Sequence, residues 1–378
     1  MVISVVLQWI NVPRINSYMR FVVSTLYILS SILVCSSCNN KHSTYFLSQP
    51  YVMVDNVDIQ DKSPDNAILG GENYNAISAI VKDGLCVLYT PRNNSFYSIL
   101  DTKTGNHLGE FGIKGNGPKE SPSFGISHQI YEENGHIKTL FQDITNKQLM
   151  VCDITKTIEG GRSIYDTIIP CDLAHKYGRA MSYLSKIDDD KIFVSLCTTP
   201  QTHTGKVITP KFGVYSISKQ TFLTEYKVFQ DSISDFAAIN KWDPYMPFSC
   251  KCTVNKSRNK AVIGMTAMPQ INLLDITTGD LQCIRIKGCP NEDTNKNMVY
   301  YASIQSDEHY IYALYMNIDN DIAIDDYDKY PSELHIFDWN GNLIKRWRFN
   351  KFYNEISLDS NKLYAFKFYS GIIDAYSL

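Results

Sequence analysis

KDGLCVLYTPRNNSFYSILDTKTGNHLGEF, Lys82–Phe111, decides the fold. A polar turn opens it, an apolar run follows, and two further turns separate two further strand-like runs. Short apolar runs bounded by Asp, Gly and Asn are hairpin signals. The turn-and-strand unit recurs as ENGHIKTLF from Glu133, DDDKIFVSL from Asp188, SRNKAVIGM from Ser257, SDEHYIYAL from Ser306 and DSNKLYAFKF from Asp359. Gly84 and Asn361, at equivalent places in the first and last copies, are 277 positions apart, a period of about 55. A strand-like run precedes each turn (YNAISAIV, SYLSKI, YYASIQ, NEISL) and another follows it (SFYSILD, KQLMVCD, FGVYSIS, INLLDI, ELHIFDW, GIIDAYS). Most copies then lead into a fourth. No helical periodicity of useful length follows Cys38. The pattern predicts an all-β chain, a six-bladed β-propeller of four-stranded antiparallel blades. The sixth copy ends at Leu378 after its third strand. YFLSQPYVMVDNV, Tyr45–Val57, is the unassigned run expected to supply the missing strand and close the ring.

The N-terminus carries an address. Arg20 precedes an apolar run from Phe21 to Val34, which ends in CSSCNNK. That run is shorter than the roughly 20 apolar residues of a membrane span and has the layout of a secretory signal, with Met19 a better start than Met1. LVCSSC resembles the lipobox of bacterial lipoproteins, with Ser36 and Ser37 before Cys38. Cys35 fits worse, because bulky Val34 stands where a small side chain is required. The expected division is a signal peptide over 1–38, a short tether over 39–44 and one propeller domain over 45–378. The resemblance implies export and a lipid anchor on Cys38 in a bacterial envelope, at the outer membrane.

Composition agrees with an exported globular chain. The net charge of -3 offers no basic field for nucleic acid, and 12% aromatic residues with 25 Tyr favour strands. Eight cysteines follow Cys38. Cys86, Cys152 and Cys197 lie in apolar strand-like runs and read as buried thiols. Cys250 and Cys252, with Cys283 and Cys289, lack the usual zinc spacing and a neighbouring His; a Cys283–Cys289 bridge is open to such a chain.

FGIKGNGPKES, Phe111–Ser121, raises a separate question, since glycines after a strand can cradle phosphate. A P-loop needs Gly-x-x-x-x-Gly-Lys-Ser/Thr opening a helix, and both spacing and helix are missing. The stretch reads as the corner from the outer strand of blade 1 to the inner strand of blade 2. It also resembles the Gly-x-Gly-Pro-x-Glu signature of TolB-like six-bladed propeller lipoproteins from Bacteroidetes, with Lys119 where the familiar form has Gly. The resemblance implies an envelope-anchored propeller and specifies no reaction.

The long connections fall on one rim: Thr199–Pro210 and Asn317–Pro331 between second and third strands, and Asp231–Cys250 between blades 3 and 4. The opposite rim is expected to carry only tight turns. Long loops gathered on one side point to a binding face. His128, Arg179, Tyr183, Lys251, Tyr300 and Glu355 lie near inner-strand starts and are expected around the channel mouth on that side. Trp242, Tyr245 and Phe248 either form a platform for a sugar ring or peptide or plug the core edge. Asp319, Asp321, Asp325, Asp326 and Asp328 make an oxygen-rich loop. Of these, Asp319, Asp321 and Asp325 are candidate calcium ligands, although the EF-hand pattern is missing. No Gly-x-Ser-x-Gly elbow or His-Glu-x-x-His occurs. The favoured reading is a non-catalytic module for an envelope protein or glycan; the alternative is a polysaccharide lyase or glycosidase.

Overall fold

The computed structural model describes residues 48–70, 75–91, 93–117, 119–127, 129–177, 180–197, 209–230, 248–290, 298–319, 321–322, 327, 329–367 and 371–378. All lie in one compact unit, Ser43–Leu378. Three strands come first: β1 (Tyr51–Val54), β2 (Ile59–Lys62) and β3 (Asn66–Gly70). Blade 1 holds β4 (Ser78–Lys82), β5 (Leu85–Tyr89), β6 (Ser95–Asp101) and β7 (His107–Ile113). Blade 2 holds β8 (Ile130–Glu133), β9 (His136–Asp143), β10 (Gln148–Asp153) and, after helix α1 (Ile154–Gly160), β11 (Tyr165–Pro170). Helix α2 (Leu173–Tyr177) leads to blade 3, with β12 (Ala180–Lys186), β13 (Lys191–Cys197), β14 (Lys211–Ser216) and β15 (Thr221–Tyr226). Blade 4 has β16 (Cys250–Asn255), β17 (Lys260–Met265), β18 (Ile271–Asp275) and β19 (Leu281–Ile286). Blade 5 has β20 (Met298–Ser306), β21 (Tyr310–Asp319), β22 (Glu333–Asp338) and β23 (Leu343–Phe349). Blade 6 has β24 (Glu355–Asp359), β25 (Lys362–Lys367) and β26 (Ile372–Ser377). Each blade is antiparallel in chain order and the six form a ring, a β-propeller. The turns do what their residues allow: Asp83-Gly84 and Asn134-Gly135 both take positive φ at each residue, as a two-residue hairpin turn requires.

The N-terminal assignment needs correction. The fourth strand of blade 6 is β3, antiparallel to β26, rather than Tyr45–Val57. Within that run, β1 instead adds in parallel to the outer edge of blade 4, Tyr51 opposite Cys283. β2 does the same on blade 5, Ile59 opposite Arg346. Tyr51 is held there by the Arg285 guanidinium, 4.1 Å from its ring centre. Two outer edges that would otherwise expose unpaired backbone are thus covered.

Apolar clusters lie between successive blades. Between blades 1 and 2, Phe111 is fully buried and its ring stacks on Tyr97 at 4.5 Å. Burying a side chain of that size contributes roughly 1.5–3 kcal/mol. Inner strands of neighbouring blades are stitched by side chains: Ile356 N–H donates to Ser303 Oγ, Val81 N–H to Ser357 Oγ, and Lys186 N–H to Gln129 Oε1.

Two short helices depart from the all-strand expectation. α1 is capped by Asp153, which accepts from Lys156 N–H, and ends at left-handed Gly161. It joins the third and fourth strands of blade 2, so the rim expected to carry only tight turns holds a helix. Cys86 and Cys152 are buried, whereas Cys197, at the end of its strand, is half-buried. No disulfide joins any of the described cysteines. Cys283 packs in the cluster shared by blades 3 and 4, and Cys289 against the one shared by blades 4 and 5, so no bridge joins them.

Candidate functional site

The glycine-rich corner holds its own carboxylate. Gly117 N–H donates to Glu120 Oε2 at 3.0 Å, filling the place a bound anion would take. Beyond it Ser121 donates to Asp143, which also accepts from the Asn146 backbone and side chain and from Gln148. Asp143 ends β9, so this buried carboxylate pins the corner to blade 2. The motif is structural.

Two of the sequence candidates, Glu355 and Lys251, stand at the starts of inner strands. Glu355, the first residue of β24, accepts from Ser78 Oγ at 3.0 Å and from Ala79 N–H at 2.7 Å, both on β4. It thereby ties the inner strands of blades 6 and 1. Glu355 is half-buried, and burial pushes its carboxyl up to about 7, against the pull of Ala79 N–H, Lys251 and Ser78. Lys251, near the start of β16, is exposed and close enough for its charge to act on Glu355. An acid poised near neutrality and an ammonium therefore stand at the start of two inner strands, on the side of the long connections.

Tyr183 and Tyr300, expected around the channel mouth, are both buried core residues. Tyr183 packs in the cluster of blades 3 and 4, and Tyr300, 1% exposed, in that of blades 4 and 5. The physical cause is irregular register. β12 shifts between Met181 and Tyr183, and β20 between Val299 and Tyr301. Such bulges break the strict two-residue alternation on which inward and outward assignments rest. Phe248 plugs the core edge, edge-on to Phe229 at 5.0 Å. His128, Arg179, Trp242, Tyr245, Asp325, Asp326 and Asp328 lie outside the described residues. Asp319 Oδ1 accepts from Asp321 N–H. Among the described residues no group of three His, Cys, Asp or Glu could hold a metal ion.

A second polar centre, which the sequence reading did not single out, is buried in blade 5. His335 Nδ1 is 3.2 Å from Tyr301 OH, and Arg346 joins Glu333 at 2.6 Å and Asn56 at 2.7 Å. Burial lowers the His335 pKa. For Glu333, burial raises the pKa, but His335 beside it and the bond from Arg346 outweigh this and leave the carboxyl at about 2. These residues tie the link between β1 and β2 to blade 5.

No family model matches this chain, and no curated protein matches it. Among solved structures, it is similar to a member of the DUF4221 family from Bacteroides vulgatus, at 10% identity and a TM-score of 0.52, over 90% of this chain and 100% of the other. It is also similar to a candidate exported protein from Bacteroides fragilis, at 11% identity and a TM-score of 0.48, over 83% and 88%. The first likeness supports the propeller fold. Among the described residues no helix is long and apolar enough to cross a membrane.

Proposed function

We propose that the chain is an envelope lipoprotein, anchored through Cys38, whose propeller binds a glycan or protein partner at the long-connection face. Kinship to the TolB-like lipoproteins is part of this reading and rests on the lipobox and on Phe111–Glu120. The observation that carries the binding reading is that Glu355 and Lys251 stand at the starts of two inner strands, β24 and β16, where the Lys251 charge acts to lower the raised Glu355 pKa. A ligand offering a donor to Glu355 and an acceptor to Lys251 would be oriented by both.

A glycan array beside a pulldown from envelope extract tests it. Glu355→Gln and Lys251→Met should each weaken retention of the same ligand about tenfold, the value of one hydrogen bond to a charged group. A ligand retained equally by wild type and both variants sinks the channel-mouth site. A doubly substituted Trp242→Ala, Tyr245→Ala variant reports separately on the aromatic platform.

The Glu355 carboxyl near 7 favours one alternative, a polysaccharide lyase. A base of that pKa beside an ammonium could take a proton next to a sugar carboxylate while Lys251 offsets the growing negative charge. Turnover of a uronic-acid polymer, lost in Glu355→Gln, would replace the binding-module reading.

A further inference from the structure

On the rim opposite the long connections, a cleft of about 250 Å³ opens between blades 2 and 3. Its floor is apolar, made by Leu140, Val151, Ile169, Ile192 and Ile217. Its edge is a ladder of alternating charges. Asp189 meets Lys186 at 3.0 Å, Lys186 meets Glu133 at 2.6 Å, Glu133 meets Lys138 at 2.9 Å, and Lys138 meets Asp166 at 2.7 Å. The register of β10 with β11 passes from Val151–Thr167 to Cys152–Tyr165, so Asp166 is a bulged residue, turned to meet Lys138. Lys138 is only 8% exposed, an ammonium built into the cleft wall. Tyr131 lines the same cleft, and its hydroxyl is buried with no hydrogen-bond partner among the described residues.

The chemistry limits what can enter. An ammonium has three N–H donors. Lys138 and Lys186 each spend two on carboxylates, leaving one apiece for a ligand oxygen. Lys156 also meets Asp166, at 3.3 Å, so three lysines balance the three carboxylates Asp189, Glu133 and Asp166; an added anion would face those carboxylates, and an added cation would have to displace a lysine. An apolar cavity of about 150 Å³ holds benzene, so this one has room for a larger ring system.

We propose that this cleft is a binding site for a neutral, largely apolar ring compound of about bicyclic size, bearing a carbonyl-type oxygen that accepts from Lys138 or Lys186. The site is separate from the channel mouth and independent of the function proposed there.

Calorimetric titration of the full-length protein with 1-tetralone, tetralin and 1-naphthoate tests it. These share a bicyclic body and differ in carrying a neutral acceptor, no acceptor and an anion. The expected order is tetralone tightest, with each of the others weaker by about tenfold or more. Thr167→Trp, at an exposed position lining the cleft, should fill it and abolish tetralone binding with the melting temperature unchanged. If that variant does not fold, Ile217→Trp serves in its place. The double variant Lys138→Met, Lys186→Met should bring tetralone and tetralin to similar affinities, while Glu355→Gln should leave all three titrations as in the wild type. Equal binding of tetralone and tetralin to the wild type, tightest binding of naphthoate, undiminished binding by a cleft-filled variant, or no binding of tetralone at its solubility limit would each overturn the proposal.

Discussion

A β-carbon added at Gly115 would stand 1.9 Å from Glu120 Oε2, so the Glu120 side chain would have to swing away and give up its bond from Gly117 N–H. Gly115→Ala should destabilise the protein by about 1–3 kcal/mol, the usual cost of forcing a group into filled space. In a Glu120→Ala background the same change should cost far less, and a double-mutant cycle by urea unfolding measures the difference. Equal costs in both backgrounds would mean that the loop does not depend on Glu120. Glu355 offers a second test at this scale. Its carboxyl is raised from 4.5 to about 7 on folding, so the folded chain holds the proton more tightly than the unfolded one. The stability from this group is complete below pH 4.5 and is lost as pH rises to about 7. The melting temperature of the wild type minus that of Glu355→Gln should therefore fall across that window; a flat difference argues against the raised pKa. Of these residues, sequence reading could place Gly115 at a corner and Glu355 at an inner-strand start. It could not find Ser78 or Ala79 as partners of Glu355, because those contacts join the first blade to the last, 277 and 276 residues away.

The strands were legible wherever turn chemistry and alternation agreed, and illegible where a strand pairs with a distant blade. Asp83-Gly84 announces its hairpin within two residues, whereas nothing in YVMV says that β1 will lie parallel to β19. The same limit misassigned Tyr45–Val57: one apolar strand resembles another, and the choice of edge is made by contacts such as Tyr51 over Arg285. Tyr183 and Tyr300 failed for a different reason, since a bulge shifts the face a side chain takes and leaves no compositional mark. The corrected assignment separates two truncations. A chain beginning at Asp58 loses β1 and the Tyr51–Arg285 contact, worth about 0.5–2 kcal/mol by itself, but keeps every four-stranded blade. A chain beginning at residue 71 also loses β3 and leaves blade 6 with three strands. Calorimetry should show the first melting at least about 2 °C below the full chain and the second well below the first. Equal melting of the two truncations would mean that β3 does not hold blade 6.

At the largest scale, the unit Ser43–Leu378 is a ring of six sheets. One rim carries the long connections with Glu355 and Lys251; the other carries hairpin turns, α1 and the ion-edged cleft. A propeller scaffold alone selects no ligand, and the first likeness, at 10% identity, extends to the fold and not to a shared site. Under the anchoring proposed at Cys38, the segment before the ring limits where these rims can act. From Cys38 to Tyr51 there are 13 steps of chain, which span at most about 45 Å when fully extended. A lipid on Cys38 would therefore hold the edge of blade 4, where β1 pairs, within that distance of a membrane surface. Anchoring predicts that the wild type sediments with membranes, incorporates labelled palmitate and is released only by detergent. Cys38→Ala should end palmitate incorporation and leave a soluble or unprocessed form, while Cys35→Ala should change neither property, since Val34 makes Cys35 the poorer processing site. A Cys38→Ala protein that still incorporates palmitate and sediments with membranes would place the anchor elsewhere, and with it the orientation of both rims.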